Sequence, residues 1–132
     1  MQQVFVYGTL RQGAPNHNII KMGRCELVGK VVVSGYDMFD TGMGYPGVIE
    51  GDGDVTGEVW NVDDDTVKAL DMLEGVPHLY TKGEVDTPYG NAIIYLYANA
   101  KRLLGEDYAW IRNQVVYGDW LKYNQRTGED TL

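Results

Sequence analysis

The chain has 132 residues, 44% of them hydrophobic, a size at which one domain buries a single core. Its net charge of −8 argues against binding to nucleic acid or to an anionic membrane, because both require a basic face on the protein. The single Cys25 cannot form an internal disulfide. The sequence shows neither the pattern of a signal peptide nor the roughly 18 to 20 consecutive apolar residues of a bilayer span. We therefore expect a soluble cytoplasmic protein.

The first half of the chain is predicted to consist mainly of strands. An apolar strand at about residues 3–7 ends at Gly8 and is expected to be central in its sheet, because it is apolar on both faces. After a glycine-containing loop, a short helix is expected to end at Gly23. Residues 25–39 predict one or two strands, and GDGD at residues 51–54 predicts a tight turn between two further strands, YPGVI and TGEVWNV.

The second half contains the clearest helix signal of the sequence. Asp63 fits the N-cap of a helix, and Gly75 with the nearby Pro77 predicts its end. Two strands at about residues 80–86 and 91–97 follow, joined by a hairpin through TPYG. The chain then continues into a stretch whose apolar spacing is partly helical.

These elements together predict an α+β fold in one domain, residues 1–125, followed by a frayed tail at residues 126–132. The six or seven short strands are expected to form a mixed or antiparallel sheet curled toward a small β-barrel, with flanking helices.

The loop VYGTLRQG at residues 6–13 is the first candidate site. Gly8 permits a sharp turn after a strand, and consecutive backbone N–H groups after such a turn can bind a carboxylate or an oxyanion. A phosphate-binding P-loop is excluded because Ala14 and Pro15 stand where its Lys and hydroxyl residue would be. The alternative is an ordinary strand-to-helix connection. The sequence leaves open whether Arg11 contacts a substrate or is a solvated residue on the rim.

Glu74 is the second candidate. At about 100° per residue, Glu74 lies on the same side of the predicted helix as Val67 and Leu70, among apolar neighbours. Burial raises the pKa of a carboxyl, which suits a general acid or base that works near neutral pH. The alternative is a solvated residue at a frayed helix end.

The remaining titratable residues give weaker signals. His17 and His78 lack the spacing of metal ligands, and the acidic run that begins at Asp63 lacks the ligand spacing of a calcium loop, so no metal site is predicted. Cys25 is expected to be a buried structural thiol. Tyrosines are abundant around the candidate sites, where they favour the wall of a small polar pocket or simple core filling.

Four stretches of the sequence together resemble a known family. They are VYGTLRQGAPN at residues 6–16, YPGVI at 45–49, TGEVWNVDDDTVKALDMLEGVPHLY at 56–80 and YGDW at 117–120. In these motifs the chain is similar to the gamma-glutamylcyclotransferase-like superfamily, and within it to the small branch that includes gamma-glutamylamine cyclotransferase. The motifs occur in family order and span nearly the whole chain.

The resemblance implies a small mixed β-barrel whose cavity receives a gamma-glutamyl group from a small-molecule substrate. Family members release 5-oxoproline, without metal or cofactor, when the substrate's own α-amine attacks its γ-carbonyl. The implied site residues are Glu74 as the catalytic group, the loop Tyr7, Gly8, Thr9 and Leu10 for the glutamyl moiety, and Tyr80 in the pocket wall. We expect a monomer or a weak homo-oligomer. The alternatives are a module that binds a small carboxylate or amino-acid-like ligand without turnover, and a structural domain with a filled core.

Overall fold

The structure is a computed structural model that describes residues 1–98 and 118–123. The elements, in chain order, are β1 (Gln2–Val6), α1 (Asn18–Met22), β2 (Glu26–Asp40), β3 (Pro46–Val62), α2 (Asp64–Leu73), β4 (Tyr80–Thr87) and β5 (Gly90–Tyr97). Residues 120–123 form one further helical turn. No helix of these described ranges is both long and apolar enough to cross a bilayer.

β1 lies at the centre of one mixed sheet with the strand order β2-β3-β1-β5-β4. It pairs antiparallel with β3, from Gln2 opposite Val62 to Val6 opposite Glu58, and parallel with β5, where Val4 is opposite Ile93. The predicted central position is therefore confirmed. Its physical reason is that successive side chains of the strand enter two different hydrophobic clusters, one on each face of the sheet.

The two faces of the sheet are covered by different parts of the chain. On one face, Val4 and Val6 pack in a cluster with Leu70 of α2 and Ile20 of α1. On the other face, Phe5 packs in a cluster that includes the C-terminal Trp120, which is 2% exposed. The predicted tail at residues 126–132 and most of the preceding C-terminal stretch lie outside the described residues.

The predicted β-barrel of six to seven strands is wrong for the described residues, which form a five-stranded sheet that is not closed. β2 and β4 are the two edges of this sheet. The predicted turn at residues 51–54 is also wrong, because Pro46–Val62 is one continuous strand. The glycines there fit against the side chain of Asp37 on β2, whose Oδ1 accepts the Gly53 N–H at 2.9 Å. Two of the predicted strands are thus one long strand, which lowers the strand count.

α2 and the β4–β5 hairpin follow the predicted pattern. The Asp63 carboxylate caps α2 by accepting hydrogen bonds from the Thr66 N–H at 3.3 Å and the Thr66 hydroxyl at 2.6 Å. The helix ends before Gly75, whose φ of +62° is the left-handed conformation that favours glycine. The hairpin pairs Tyr80 with Tyr97 at its base and Thr87 with Gly90 at its turn. Glu74 is therefore held between the end of a capped helix and a paired strand.

Gly57 gives a test of the pairing between β1 and β3. A Cβ at this position would overlap the Val6 carbonyl oxygen and lie 2.6 Å from Phe5 Cζ. We expect Gly57→Ala to lower the free energy of unfolding by about 2 to 3 kcal/mol, because overpacking forces the two strands apart. Urea denaturation measures this loss. Val32→Ala on the edge strand β2, where Val32 is 55% exposed, is the control and should cost less than about 1 kcal/mol. Equal losses for the two variants would contradict the expectation.

Candidate active site

A small cavity of about 30 Å³ lies where β1 ends and its loop begins. A second, outer cavity of about 370 Å³ shares four of its lining residues, Thr9, Tyr45, Glu74 and Tyr80. The outer volume falls in the range of about 300 to 1,000 Å³ that is typical of small-molecule pockets. The inner cavity brings together all of the site residues expected from the sequence, which are Tyr7, Gly8, Thr9, Leu10, Glu74 and Tyr80.

The loop at residues 8–10 presents a row of backbone N–H groups without partners. Within the described residues, the N–H groups of Gly8, Thr9 and Leu10 have no acceptor. The carbonyls of the same residues are all engaged, by the Arg11 N–H at 3.2 Å, the Asn16 N–H at 2.8 Å and His17 Nδ1 at 3.0 Å, respectively. The chain therefore satisfies the acceptors of this loop and leaves its donors available.

The orientation of these donors follows from peptide geometry. In a trans peptide the carbonyl and the following N–H point in opposite directions. Because the Thr9 carbonyl points toward the Asn16 N–H, the N–H of Leu10 points away from the segment that leads into α1. Asn16 also donates from its side chain to the Thr9 hydroxyl at 2.9 Å, which fixes the loop a second time. Consecutive backbone N–H groups of this kind can bind an anion.

Gly8 is required here for a reason that the sequence does not reveal. A Cβ at this position would lie 2.8 Å from Cγ and 2.9 Å from Cδ of Pro46, at the start of β3. The close approach of the loop to Pro46, rather than an unusual backbone angle, therefore demands glycine. The same proline carbonyl accepts the Tyr80 hydroxyl at 2.6 Å, so Pro46 joins two walls of the cavity.

Glu74 lies at the C-cap of α2 and is half-buried. Burial raises the pKa of its carboxyl from 4.5 to about 7. Within the residues that the structure describes, no side chain forms a hydrogen bond or ion pair with this carboxyl. The structure therefore favours the predicted half-buried carboxyl over a solvated helix end. A group with this pKa exchanges its proton near neutral pH, as a general acid or base must.

The tyrosines of the cavity wall all donate their hydroxyl protons to the protein. The hydroxyl of Tyr7 donates to the Tyr95 carbonyl, and that of Tyr95 donates to Asp71 Oδ1 at 2.7 Å. Burial, with the nearby Glu74 as a further cause, raises the pKa of the Tyr80 hydroxyl. These phenols are therefore neutral, and toward a ligand they offer apolar rings and oxygen lone pairs. Asp71, which orients Tyr95 and pairs with Lys82 at 3.1 Å, was not singled out from the sequence.

Arg11 is buried, in contrast to the solvated rim residue that the sequence left open. Its guanidinium contacts Asp119 Oδ1 at 2.9 Å and lies 3.5 Å from Glu58 Oε2. Neither acidic residue was identified as a site residue from the sequence. The signals that point to them are an acidic residue within the apolar strand TGEVWNV and the aspartate of YGDW.

The weaker candidates show no sign of reactivity. Within residues 1–98 and 118–123, no group of three or more His, Cys, Asp or Glu side chains could hold a metal ion. Cys25 is half-buried rather than buried, and desolvation raises the pKa of its thiol, which disfavours the nucleophilic thiolate. The ring of His17 lies 5.3 Å from that of Trp60, and its Nδ1 bonds to the Leu10 carbonyl, so it supports the loop.

Comparison with known proteins shows the family of this chain. The family model described as Gamma-glutamyl cyclotransferase, AIG2-like, matches residues 4–122. A Vibrio cholerae protein assigned to the gamma-glutamylcyclotransferases is 40% identical over 118 residues, which are 89% of this chain and 93% of that protein.

Two further similarities extend the comparison. The gamma-L-glutamyl-butirosin B gamma-glutamyl cyclotransferase of Niallia circulans is 31% identical over 126 residues, 93% of this chain and 78% of that enzyme. The crystal structure of protein PH0828 from Pyrococcus horikoshii superposes with a TM-score of 0.79, at 25% identity and 98% coverage of both chains. The family match covers most of the sequence, including the loop after β1 and the glutamate after α2. The chain therefore belongs to the AIG2-like gamma-glutamyl cyclotransferase family.

Proposed function

We propose that this protein is a cofactor-independent gamma-glutamyl cyclotransferase that releases 5-oxoproline from a gamma-glutamyl amine or peptide. Family membership supports the general activity, and the names of the relatives agree with it. One observation carries the specific mechanism. The Glu74 carboxyl, whose pKa burial raises to about 7, lines the same small cavity as the N–H groups of residues 8–10, and neither has a hydrogen-bond partner among the described residues.

Glu74 is the proposed general base and acid. The α-ammonium of the substrate is not a nucleophile, so the Glu74 carboxylate removes one proton from it. The free α-amine then attacks the γ-carbonyl carbon, which forms the new C–N bond of a five-membered ring and a tetrahedral oxyanion. Collapse of the oxyanion breaks the bond to the leaving amine, and Glu74 returns the first proton to that nitrogen. The ring nitrogen still carries a second proton and a positive charge, and it passes this proton through the same carboxylate to the departing amine. The products are 5-oxoproline and the leaving amine as an ammonium ion.

The loop at residues 8–10 is the proposed binding element for the glutamyl group. The attack is intramolecular, so much of the rate acceleration comes from holding the glutamyl chain in its folded conformation. N–H groups that are fixed before the substrate arrives can hold the α-carboxylate or stabilise the oxyanion without reorganisation. The engaged carbonyls of the loop keep these donors in one orientation. Tyr7 and Tyr80 are the proposed walls of this pocket.

The sizes of the two cavities suggest where each half of the substrate binds. The inner cavity of about 30 Å³ has room for only a small polar group, so the glutamyl chain extends into the region that both cavities share at Glu74. The leaving amine then lies in the outer cavity, beside Leu73 and Leu79. The Niallia circulans relative is named for gamma-L-glutamyl-butirosin B, and an outer position leaves room for leaving groups of different kinds.

The activity is tested by incubating the protein with several gamma-glutamyl amides and measuring 5-oxoproline by chromatography. We expect turnover by the wild type and a loss of about 10³-fold or more in kcat for Glu74→Gln, because the amide cannot accept the proton. Glu84→Gln on the exposed side of β4 makes the same chemical change and is the control. Binding without product in the wild type would instead indicate a ligand-binding module, and full activity of Glu74→Gln would remove Glu74 from its proposed role.

The dependence of the rate on pH follows from the raised pKa of Glu74. The base must be ionised in the free enzyme, so kcat/KM should rise with pH and level off above the pKa of about 7. Steady-state kinetics between pH 5 and pH 9 measure this limb. A rate that is constant across this pH interval, with a substrate whose own ionisation is accounted for, would argue against a carboxyl with this pKa as the base.

The same raised pKa has a consequence for stability. Glu74 ionises near 4.5 in the unfolded chain and near 7 in the folded protein, so the folded state retains the proton between these values. The free energy of unfolding should therefore fall as the pH rises from about 4.5 to 7, by about 3 kcal/mol at 1.36 kcal/mol per pH unit. Glu74→Gln lacks this titration, so its stability relative to the wild type should increase from pH 4.5 to pH 8 by that amount. Urea denaturation at both pH values measures the change, and an unchanged difference would contradict it.

A further inference from the structure

Arg11 follows the loop directly and is 3% exposed. Its guanidinium forms ion pairs with two carboxylates from distant parts of the chain, Glu58 on β3 and Asp119 before the C-terminal helical turn. Both partners are buried, at 6% exposure each. We call Arg11, Glu58 and Asp119 the arginine cluster. It joins the loop, the strand next to β1 and the C-terminal segment.

Each carboxylate of the arginine cluster has further donors. Glu58 Oε1 accepts the Gln12 N–H at 3.0 Å and the Trp60 indole N–H at 3.1 Å. Asp119 Oδ1 accepts the Lys122 N–H at 3.2 Å. Burial alone would raise the pKa of Asp119, but these hydrogen bonds and the charge of Arg11 hold it below its ordinary value. The Asp119 carboxyl is therefore ionised at neutral pH. The backbone contacts of the cluster extend to Gln12, the residue that follows Arg11.

Stability does not explain why charges stand at these positions. Burying ions costs desolvation energy, and well-packed apolar residues of similar volume are often as stable or more stable than a buried ion pair. What a charged hydrogen bond adds is direction, and Arg11 donates one from its Nη1 to Asp119 Oδ1 at 2.9 Å. Its Nε lies 3.5 Å from Glu58 Oε2, and this second contact is an ion pair without a hydrogen bond among the described residues. The arginine cluster thus holds the loop from the side of β3, while Asn16 and His17 hold its carbonyls from the side of α1.

We propose that Arg11 is a positioning residue, which through its ion pairs with Glu58 and Asp119 sets the orientation of the N–H groups of Gly8, Thr9 and Leu10 toward the glutamyl group. Arg11 lines neither cavity and so acts through the loop rather than on the substrate. This role rests on the proposed function of the loop. It also makes the segment at residues 118–123 part of the support of the site.

The test removes the charges while it keeps the shape and the hydrogen-bond acceptors. Arg11→Met alone would leave two buried carboxylates without a counter-charge, so the main variant is the triple change Arg11→Met, Glu58→Gln and Asp119→Asn. We expect this variant to fold, as measured by circular dichroism, with kcat about 100-fold below the wild type and KM changed less than about fivefold, because a small misplacement of the binding groups lowers the rate of the chemical step. The single variant Arg11→Lys keeps the positive charge, so its kcat should lie between those of the triple variant and the wild type.

Arg24→Met, at an exposed arginine, is the matched control and should keep wild-type kinetics. A folded triple variant with the kcat of the wild type would overturn the proposal and leave the arginine cluster a purely structural role. If the triple variant does not fold, the test uses the kcat of the folded Arg11→Lys protein. A kcat equal to that of the wild type would overturn the positioning role of Arg11.

A second readout does not depend on turnover. In ¹H–¹⁵N NMR spectra, the amide signals of Gly8, Thr9 and Leu10 should move in the triple variant and in Arg11→Lys, while those of the β4–β5 hairpin should not. The same amides should respond to added 5-oxoproline in the wild type and respond less in the variants. An inactive wild type would refute the proposed function, whereas unmoved loop amides would refute the positioning role.

Discussion

The pairing of β1 between β3 and β5 is the interaction on which the rest of the structure depends. Because β1 is central, Val6 is paired with Glu58 of β3 and Val4 lies opposite Ile93 of β5, so the loop that follows starts from a fixed position. β3 brings Pro46 and Glu58 to that loop from its two ends, and β5 brings Tyr95. The candidate site thus uses backbone groups directly after a central strand, where their positions are more precisely fixed than in a long loop.

The fold places the Glu74 carboxyl where its ionisation is unfavourable. A carboxylate at a helix C-terminus meets the negative end of the helix dipole, and its partial burial removes solvating water. Both effects oppose ionisation, and the described residues supply no counter-charge at this position. The cap at Asp63 and the buried Leu70 stabilise α2. This stabilisation offsets the free-energy cost of ionising Glu74, so the protein tolerates a group that proton transfer requires.

Local signals predicted those features that depend on neighbours in sequence. The run of apolar residues in β1, the Asp63 cap and the Gly75 stop each carry their own information, and so does Glu74 through its position relative to Leu70. GDGD was misassigned as a turn because its extended conformation depends on Asp37, 16 residues earlier, whose carboxylate accepts the Gly53 N–H. The pair of Arg11 and Asp119 is separated by 108 residues, and no local pattern indicates it. Predictions therefore failed where the decisive partner was far along the chain.

The hydroxyl groups of the cavity tyrosines already donate hydrogen bonds within the protein, which determines what the cavity can offer a ligand. Since Tyr7, Tyr80 and Tyr95 each donate their hydroxyl protons within the protein, their oxygens retain only lone pairs, while the backbone of residues 8–10 retains N–H groups without an acceptor among the described residues. The tyrosine oxygens can therefore only accept hydrogen bonds, and the loop N–H groups can only donate them. The lining of the cavity therefore discriminates by hydrogen-bond polarity, because a ligand with only donors or only acceptors would leave either the loop N–H groups or the tyrosine oxygens unmatched.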